Sequence, residues 1–127
     1  MGDDLPGMTI DFAIDDRVLG DDTHVVAVMG EIDLFTAPEF KQRVAAPIDA
    51  GRTHVVIDLT ATTFIDSSSL GVLIGAHRRL RRHGGRLVIV CTNPAIEKTF
   101  RITGLDSVFT IAGSLEEAVN GDTVGAG

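Results

Sequence analysis

The alternation of apolar and polar residues near the start of the chain predicts two paired strands. Between residues 8 and 14 every second position is apolar, which is typical of a strand with one buried face. Residues 25–29 are almost continuously apolar, which indicates a strand buried on both faces. Turn-forming residues dominate the segment 17–23 between them, so we expect an antiparallel hairpin.

Capping signals mark the first helix. Thr36 and Glu39 have the spacing of a capping box, in which each side chain accepts a hydrogen bond from the backbone of the other residue. We therefore expect a helix to begin at Thr36. Pro47 lies further along the same apolar pattern, and because proline lacks an N–H group, we expect the helix to bend there or to end near Ala46.

The middle of the chain predicts a strand, a helix and a second strand. Residues 54–59 are mostly apolar and predict a strand, and residues 60–65 lead from it into a helix that extends from residue 67 to about residue 83. The glycine pair 84–85 favours the end of that helix, and an apolar strand follows at residues 87–90. This order implies two parallel strands joined by a right-handed crossover.

The C-terminal third of the chain predicts two more helices with a short strand between them. Asn93, followed by proline, marks the start of a third helix, and Gly104 marks its end. Residues 108–111 indicate a short strand. Ser114 and Glu117 have capping-box spacing and predict a short last helix.

These elements predict one α/β domain, with a small mixed β-sheet of four to five strands packed by about four helices. A chain of 127 residues with 44% hydrophobic content can bury one core and has no room for a second domain. We expect residues 8–119 to form the domain. Residues 1–7 and 120–127 should be flexible ends, since the second of these is rich in glycine and poor in apolar residues.

Composition and charge exclude several functional classes. A net charge of −7 argues against nucleic acid as a partner, because phosphate backbones bind basic surfaces. No apolar run approaches the ~18 residues that a membrane-spanning helix needs, and the first residues lack the basic start of a signal peptide. We therefore expect a cytoplasmic protein that does not bind membranes. Cys91 is the single cysteine, so an internal disulfide is impossible.

The chain shows no metal or nucleotide motif. Its four histidines lack the HExxH and CxxC spacings of zinc sites, and no GxxxxGK[ST] phosphate loop is present. His77 lies on the apolar face of the predicted helix 67–83, where a core histidine is the simpler interpretation. We assign no metal site, no cofactor and no catalytic residue.

Candidate chemistry concentrates between Phe64 and Gly71, where the sequence FIDSSSLG places an acid and three hydroxyl groups between a strand and a helix. The unpaired N–H groups of a helix N-terminus can hold a phosphate, so a serine there is a plausible kinase acceptor. Aspartate and serine are also the commonest helix caps, which is the purely structural alternative. A serine hydrolase is a remote third alternative, because the flanking glycines of a G-x-S-x-G elbow are missing.

Four motifs in this order resemble the STAS-domain family of bacterial anti-sigma factor antagonists. They are GEID at residues 30–33, the apolar run 55–59, FIDSS at residues 64–68 and GGRLVIV at residues 84–90. The resemblance covers residues 8–119, and it implies a STAS-like fold. The sequence departs from the family pattern at Ser69, where the family usually has glycine.

The resemblance implies a regulator that is not an enzyme. The unphosphorylated domain of this family binds an anti-sigma factor that is a serine kinase and releases its sigma factor. The kinase then phosphorylates a serine at the start of the central helix, and a serine phosphatase resets the cycle. By motif the acceptor is Ser68, with Ser67 and Ser69 as alternatives. The implied partner-binding residues are Asp33, Asp66, Ser67, Ser68, Ser69 and Gly71.

A second function remains open for the same fold. It also serves as a scaffold or sensor subunit in stress-signalling assemblies, which would form a stable large complex. The antagonist interpretation instead implies a monomer or weak dimer. Neither interpretation requires a cofactor.

Overall fold

The computed structural model describes residues 12–20 and 22–120, which contain five strands and four α-helices. In chain order these elements are β1 (Phe12–Leu19), β2 (Thr23–Ile32), α1 (Ala37–Asp49), β3 (His54–Ile65), α2 (Ser67–Arg82), β4 (Arg86–Val90), α3 (Pro94–Ile102), β5 (Thr110–Ala112) and α4 (Leu115–Asn120). A short 3-10 helix, Leu105–Ser107, connects α3 to β5. The predicted mixed α/β fold is confirmed.

The strands lie in the sheet in the same order as in the chain. β1 and β2 are antiparallel, as the hairpin prediction requires, and all other neighbouring strands are parallel. Each parallel connection passes through a helix, so the carboxyl ends of β2, β3 and β4 lie at one end of the sheet. Sites in open α/β sheets gather at this end.

The two faces of the sheet are covered differently. Alternate residues of β3 belong to separate clusters, since Val55 and Ile57 pack with α1, α2 and α3, whereas Val56 packs beneath α4. The larger cluster includes Phe40 of α1 and Phe100 of α3, both fully buried. This packing fixes the three long helices against one face, and with them the first turn of α2 beside the strand ends.

The predicted start of α1 is confirmed, since Thr36 is the N-cap, but the predicted capping box does not form. Thr36 has α-helical backbone angles and makes no side-chain capping hydrogen bond, and the helix begins at Ala37. The carboxylate of Asp33 instead accepts hydrogen bonds from the backbone N–H groups of Phe35 and Thr36. The Thr36 N–H is the donor that the Glu39 side chain would have bound in a capping box. This local role of Asp33 was not predicted from the sequence.

Pro47 does not end α1 near Ala46, because the helix continues to Asp49. Proline removes one N–H donor, but the Pro47 carbonyl still accepts a 2.9 Å hydrogen bond from the backbone N–H of Arg52. The proline ring is itself buried, so packing compensates for the missing hydrogen bond. A bend at this position stays a prediction.

The boundaries of β1, β2, β3 and β5 differ from the predicted ones. β3 extends through residues 60–65 because β2 continues beside it to Ile32, with two register shifts, and the Thr62 hydroxyl donates a 2.8 Å hydrogen bond to the Val28 carbonyl. β1 continues to Leu19 through residues assigned to the turn, and the predicted strand before Phe12 lies outside the described residues. β5 begins two residues later than predicted, after the 3-10 helix.

The glycine pair ends α2 as expected. Gly84 has φ +75°, and the N–H groups of Gly84 and Gly85 donate to the carbonyls of Arg81 and Leu80 at 3.2 and 2.7 Å. A β-carbon on Gly85 would overlap the Thr53 carbonyl, so only glycine allows this close approach. None of the helices in residues 12–20 and 22–120 has the length and apolar character required to cross a membrane.

Candidate functional site

Asp66 caps the helix that carries the three serines. It follows the last residue of β3 with extended backbone angles, φ −126° and ψ −172°. Its carboxylate oxygen Oδ1 accepts hydrogen bonds from the backbone N–H groups of Ser68 at 2.9 Å and Ser69 at 3.3 Å. The predicted cap is therefore present, and it places a negative charge on the positive end of α2.

The three serines lie in three different environments although they are consecutive. Ser67 is exposed, Ser68 is half-buried and Ser69 is fully buried. Within the part of the chain that the structure describes, the hydroxyls of Ser67 and Ser68 have no hydrogen-bond partner. Both hydroxyls are therefore free of structural hydrogen bonds, unlike that of Ser69.

Ser69 joins α2 to the end of β2. Its hydroxyl donates a 2.9 Å hydrogen bond to the carbonyl of Ile32 and accepts a 3.3 Å hydrogen bond from the backbone N–H of Asp66. The second bond completes a capping box with Asp66. Ser69 therefore has no exposed surface with which to contact a partner.

Asp33 organises the loop between β2 and α1. Its carboxylate accepts from the N–H groups of Phe35 at 2.9 Å and Thr36 at 3.0 Å, and its carbonyl accepts from the N–H of Ala37 at 2.8 Å. The Thr36 hydroxyl in turn accepts from the Asp33 N–H at 2.8 Å and donates to the Glu31 carbonyl at 3.1 Å. The loop is thus held from both ends.

These hydrogen bonds also change the acidity of Asp33. The backbone N–H of Thr36 is the largest cause that lowers the pKa of the Asp33 carboxyl below its usual value, and the N–H of Phe35 lowers it further. Asp33 is therefore ionised at neutral pH. Its negative charge lies at the same end of the sheet as that of Asp66.

Three large apolar side chains are exposed at this end of the sheet. Leu34 is 69% exposed and Phe35 is 88% exposed, both in the loop that Asp33 holds. Phe64 is 48% exposed on β3, where it pairs with Glu31 of β2. The exposure of these three side chains was not predicted from the sequence. The available signal was an adjacent apolar pair between the end of a strand and the start of a helix.

The structure brings all six predicted site residues to one end of the sheet. Ser67 and Gly71 are exposed one turn apart on α2, and Ser68 lies between them at half-burial. Asp33 connects to this turn through the hydrogen bond between its neighbour Ile32 and Ser69. The predicted grouping is therefore compact, with Ser69 as its buried member.

Acidic side chains predominate in the segments that form this end of the sheet, and the basic residue next along α1 is Lys41, which lines a groove with Gly71. The segments 18–40 and 53–77 contain no lysine or arginine, whereas they supply Glu31, Asp33 and Asp66. The arginines of α2 begin at Arg78, near the other end of the helix. A further negative charge on the serines would therefore not be balanced by a lysine or arginine of segments 18–40 and 53–77.

The geometry does not supply the general base that a serine hydrolase needs. His77, the histidine on α2, packs edge-on against Phe109 with ring centroids 5.6 Å apart. Burial lowers its pKa, and Arg81 and Arg78 lower the pKa further. Among the described residues, no histidine forms a hydrogen bond with a serine hydroxyl, and no group of three or more His, Cys, Asp or Glu residues could hold a metal ion.

A five-stranded mixed sheet with a capped serine turn at its carboxyl end defines a STAS domain, and comparison with known proteins agrees. The model of the STAS domain family matches residues 13–118. The chain belongs to this family, and more particularly to its anti-sigma factor antagonists. The resemblance drawn from the motifs is confirmed.

The relatives cover almost the whole chain. The anti-sigma-B factor antagonist of Listeria monocytogenes is 35% identical over 118 residues, which are 91% of this chain and 98% of that protein. The crystal structure of an anti-sigma factor antagonist from Mycobacterium paratuberculosis is 30% identical with a TM-score of 0.80, and covers 86% of this chain and 92% of its own. SpoIIAA of Bacillus in its phosphorylated form is 26% identical with a TM-score of 0.68, at 85% and 97% coverage.

Proposed function

We propose that this protein is an anti-sigma factor antagonist that is switched off by phosphorylation of Ser68. In its unphosphorylated form it binds an anti-sigma factor serine kinase, which then releases its sigma factor. A serine phosphatase restores the unphosphorylated form. The names of the relatives support the antagonist role, and a structure of SpoIIAA, at 26% identity, is of a phosphorylated form.

The observation that carries the proposal is that the three serine hydroxyls differ in burial and in hydrogen bonding. Ser69 is buried and bonded to Ile32, so a phosphate there would disrupt the contact between α2 and β2. The Ser68 hydroxyl is unbonded and half-buried, and its N–H is already held by Asp66. Ser68 also occupies the acceptor position of the family motif. Ser67 is the remaining alternative, which the experiment below separates.

A phosphate on Ser68 would oppose binding through its charge. It adds about −1.5 to −2 charges at neutral pH. Two unit charges about 5 Å apart repel by roughly 3 kcal/mol at an effective dielectric of about 20. Each 1.4 kcal/mol is about a tenfold change in affinity, so a repulsion of this size, added when binding removes water from the phosphate beside Asp33 and Asp66, would weaken binding by about a hundredfold.

The domain needs no large rearrangement to act as this switch. The N-terminus of α2 tolerates an added negative charge in the free protein, because the helix dipole favours it. Contact with a partner would remove water from the phosphate, and no lysine or arginine in residues 53–77 compensates for that loss. The chain supplies no catalytic group of its own in this cycle, so phosphorylation and dephosphorylation belong to its partners.

The test compares immobilised wild-type, Ser68→Ala and Ser68→Asp proteins in lysate of the native cell, with retained proteins identified by mass spectrometry. Wild-type and Ser68→Ala should retain a small serine kinase with a histidine-kinase-like ATPase domain, and Ser68→Asp should lose it. The purified kinase should then phosphorylate wild-type and Ser67→Ala proteins with ATP, but not Ser68→Ala.

Two outcomes would contradict the proposal. If Ser68→Ala is still phosphorylated and Ser67→Ala is not, the acceptor is Ser67. If all three proteins retain the same partners, Ser68 is only part of a helix cap and the scaffold function is favoured. Sedimentation would then show a stable large assembly rather than a monomer or weak dimer.

A further inference from the structure

Leu34 and Phe35 are the most exposed pair of adjacent large apolar residues in the described chain, at 69% and 88%. Single apolar residues on a surface are common, but two adjacent, strongly exposed ones favour protein contact. Phe64 is a further apolar residue, at 48% exposure on the strand that follows α1. Leu34 and Phe35 have no stabilising role that the fold itself explains.

The loop that carries this pair is rigidly held. The Asp33 carboxylate accepts a 2.9 Å hydrogen bond from the N–H of Phe35. The Thr36 hydroxyl accepts a hydrogen bond from the N–H of Asp33 and donates one to the carbonyl of Glu31. Leu34 and Phe35 are therefore presented on a fixed backbone. A side chain ordered in advance loses less entropy on binding, which is a property of interface anchors.

The pair is continuous with the proposed acceptor turn. Ile32 lies two residues before Leu34, and its carbonyl receives the 2.9 Å hydrogen bond from the hydroxyl of Ser69, the neighbour of Ser68. One buried hydrogen bond thus connects the loop and the serines. A partner that covers Ser68 is placed to cover this loop as well.

We propose that Leu34 and Phe35 form an apolar anchor that inserts into an apolar pocket of the anti-sigma factor. This inference rests on the proposed function, since it names the second contact of the same partner. The anchor excludes water from the interface, and a phosphate on Ser68 would bring a strongly hydrated group beside it. The switch and the anchor therefore act on one surface.

The charges favour this partner over a second copy of the chain. Glu31, Asp33 and Asp66 lie around the anchor, and the segments 18–40 and 53–77 contain no lysine or arginine. Two copies that met through this end would bring like charges together, which opposes association. The pocket of the partner should accordingly be apolar and have no acidic side chains at its rim.

The test uses the purified kinase that the wild-type protein retains, and measures Kd by isothermal titration calorimetry. Phe35→Ser should weaken binding by about tenfold or more, as loss of an aromatic anchor does at other interfaces. Leu34→Ser should have a smaller effect in the same direction. Ile102→Ser is the matched control, because Ile102 is 73% exposed at the C-terminal end of α3, away from the serines. Its Kd should equal that of the wild type.

The outcomes separate the anchor from the proposed function. If wild-type protein retains no kinase, both proposals are overturned. If it binds the kinase and Phe35→Ser binds equally well, the anchor is overturned while the switch at Ser68 stands. If sedimentation shows that Phe35→Ser abolishes self-association and leaves the Kd for the kinase unchanged, the occupant is a second copy. Matching urea midpoints for the variants would show that each one is folded.

Discussion

The hydroxyl of Ser69 lies 2.9 Å from the carbonyl oxygen of Ile32, to which it donates a hydrogen bond across 37 positions of sequence. Both residues are completely buried. The bond joins the first turn of α2 to the end of β2. It therefore connects the serine turn to the loop that follows β2.

Replacing Ser69 by alanine should lower the free energy of unfolding by about 1–3 kcal/mol, because the buried Ile32 carbonyl loses its side-chain donor. Ser67→Ala is the control, and the free energy should change by less than about 0.5 kcal/mol because Ser67 is exposed and its hydroxyl is unbonded. Urea denaturation followed by circular dichroism measures both. Equal stability of the two variants would show that the bond to Ile32 contributes nothing.

Asp66 allows the effect of a cap to be separated from the effect of a charge. Asp66→Ala should lower the free energy of unfolding by about 0.5–2 kcal/mol, because the N–H groups of Ser68 and Ser69 lose their acceptor. Asp66→Asn should retain most of that stability, since its amide oxygen can accept the same hydrogen bonds. Thermal and urea unfolding measure the difference. Equal losses in both variants would indicate that the charge, rather than the cap, stabilises α2.

The stability contributed by Asp33 should depend on pH. The pKa of its carboxyl is lowered in the folded protein, first by the N–H of Thr36, so protonation favours the unfolded state. This contribution is complete above the unfolded pKa of about 3.9 and is lost as the pH falls through the lower folded value. Asp33→Ala should therefore be less stable than wild type at pH 7, with a difference that shrinks below about pH 4.

Urea midpoints measured for both proteins between neutral and acidic pH test this expectation. Asp33→Asn is the informative control, because its side-chain oxygen can accept from Phe35 and Thr36 without a carboxyl group that titrates. Its stability relative to Asp33→Ala should not change in the acidic range. A constant difference between wild type and Asp33→Ala would refute the role of the ionised carboxylate.

The sequence predicted the sheet and the helices because these depend on local patterns. Apolar periodicity located α2, and the glycine pair located its end, since Gly84 needs a positive φ. The predicted strand boundaries were wrong where pairing with a neighbouring strand determines how far a strand extends. Thr60 begins a segment that looked like a connection, but β2 extends far enough to pair with it.

Details of the site depended on contacts between distant residues. Asp66 was recognisable as a cap because its partners are two and three positions away. The burial of Ser69 could not be predicted, because its acceptor is the backbone of Ile32. The exposure of Phe35 could not be predicted from the sequence either, because an apolar residue is expected inside the protein. Only the packed fold shows that no core residue covers it.

Gly71 and Gly75 offer a test of the partner surface that does not alter a polar group. Both are exposed on α2 one turn apart, and a β-carbon at either position would meet no atom within 4 Å. Alanine should therefore stabilise the helix at each position by about 0.5–1 kcal/mol. Urea denaturation should show higher midpoints for Gly71→Ala and for Gly75→Ala.

The two variants should differ in binding to the kinase. Gly71 lies one turn from Ser67, so an added methyl group there would separate surfaces that meet closely around the serines. Gly75 lies a further turn away on the same helix and should leave the Kd unchanged. Calorimetric titration of both variants measures this difference at matched stability. If Gly71→Ala and Gly75→Ala bind equally, Gly71 lies outside the interface and the partner surface ends within the first turn of α2.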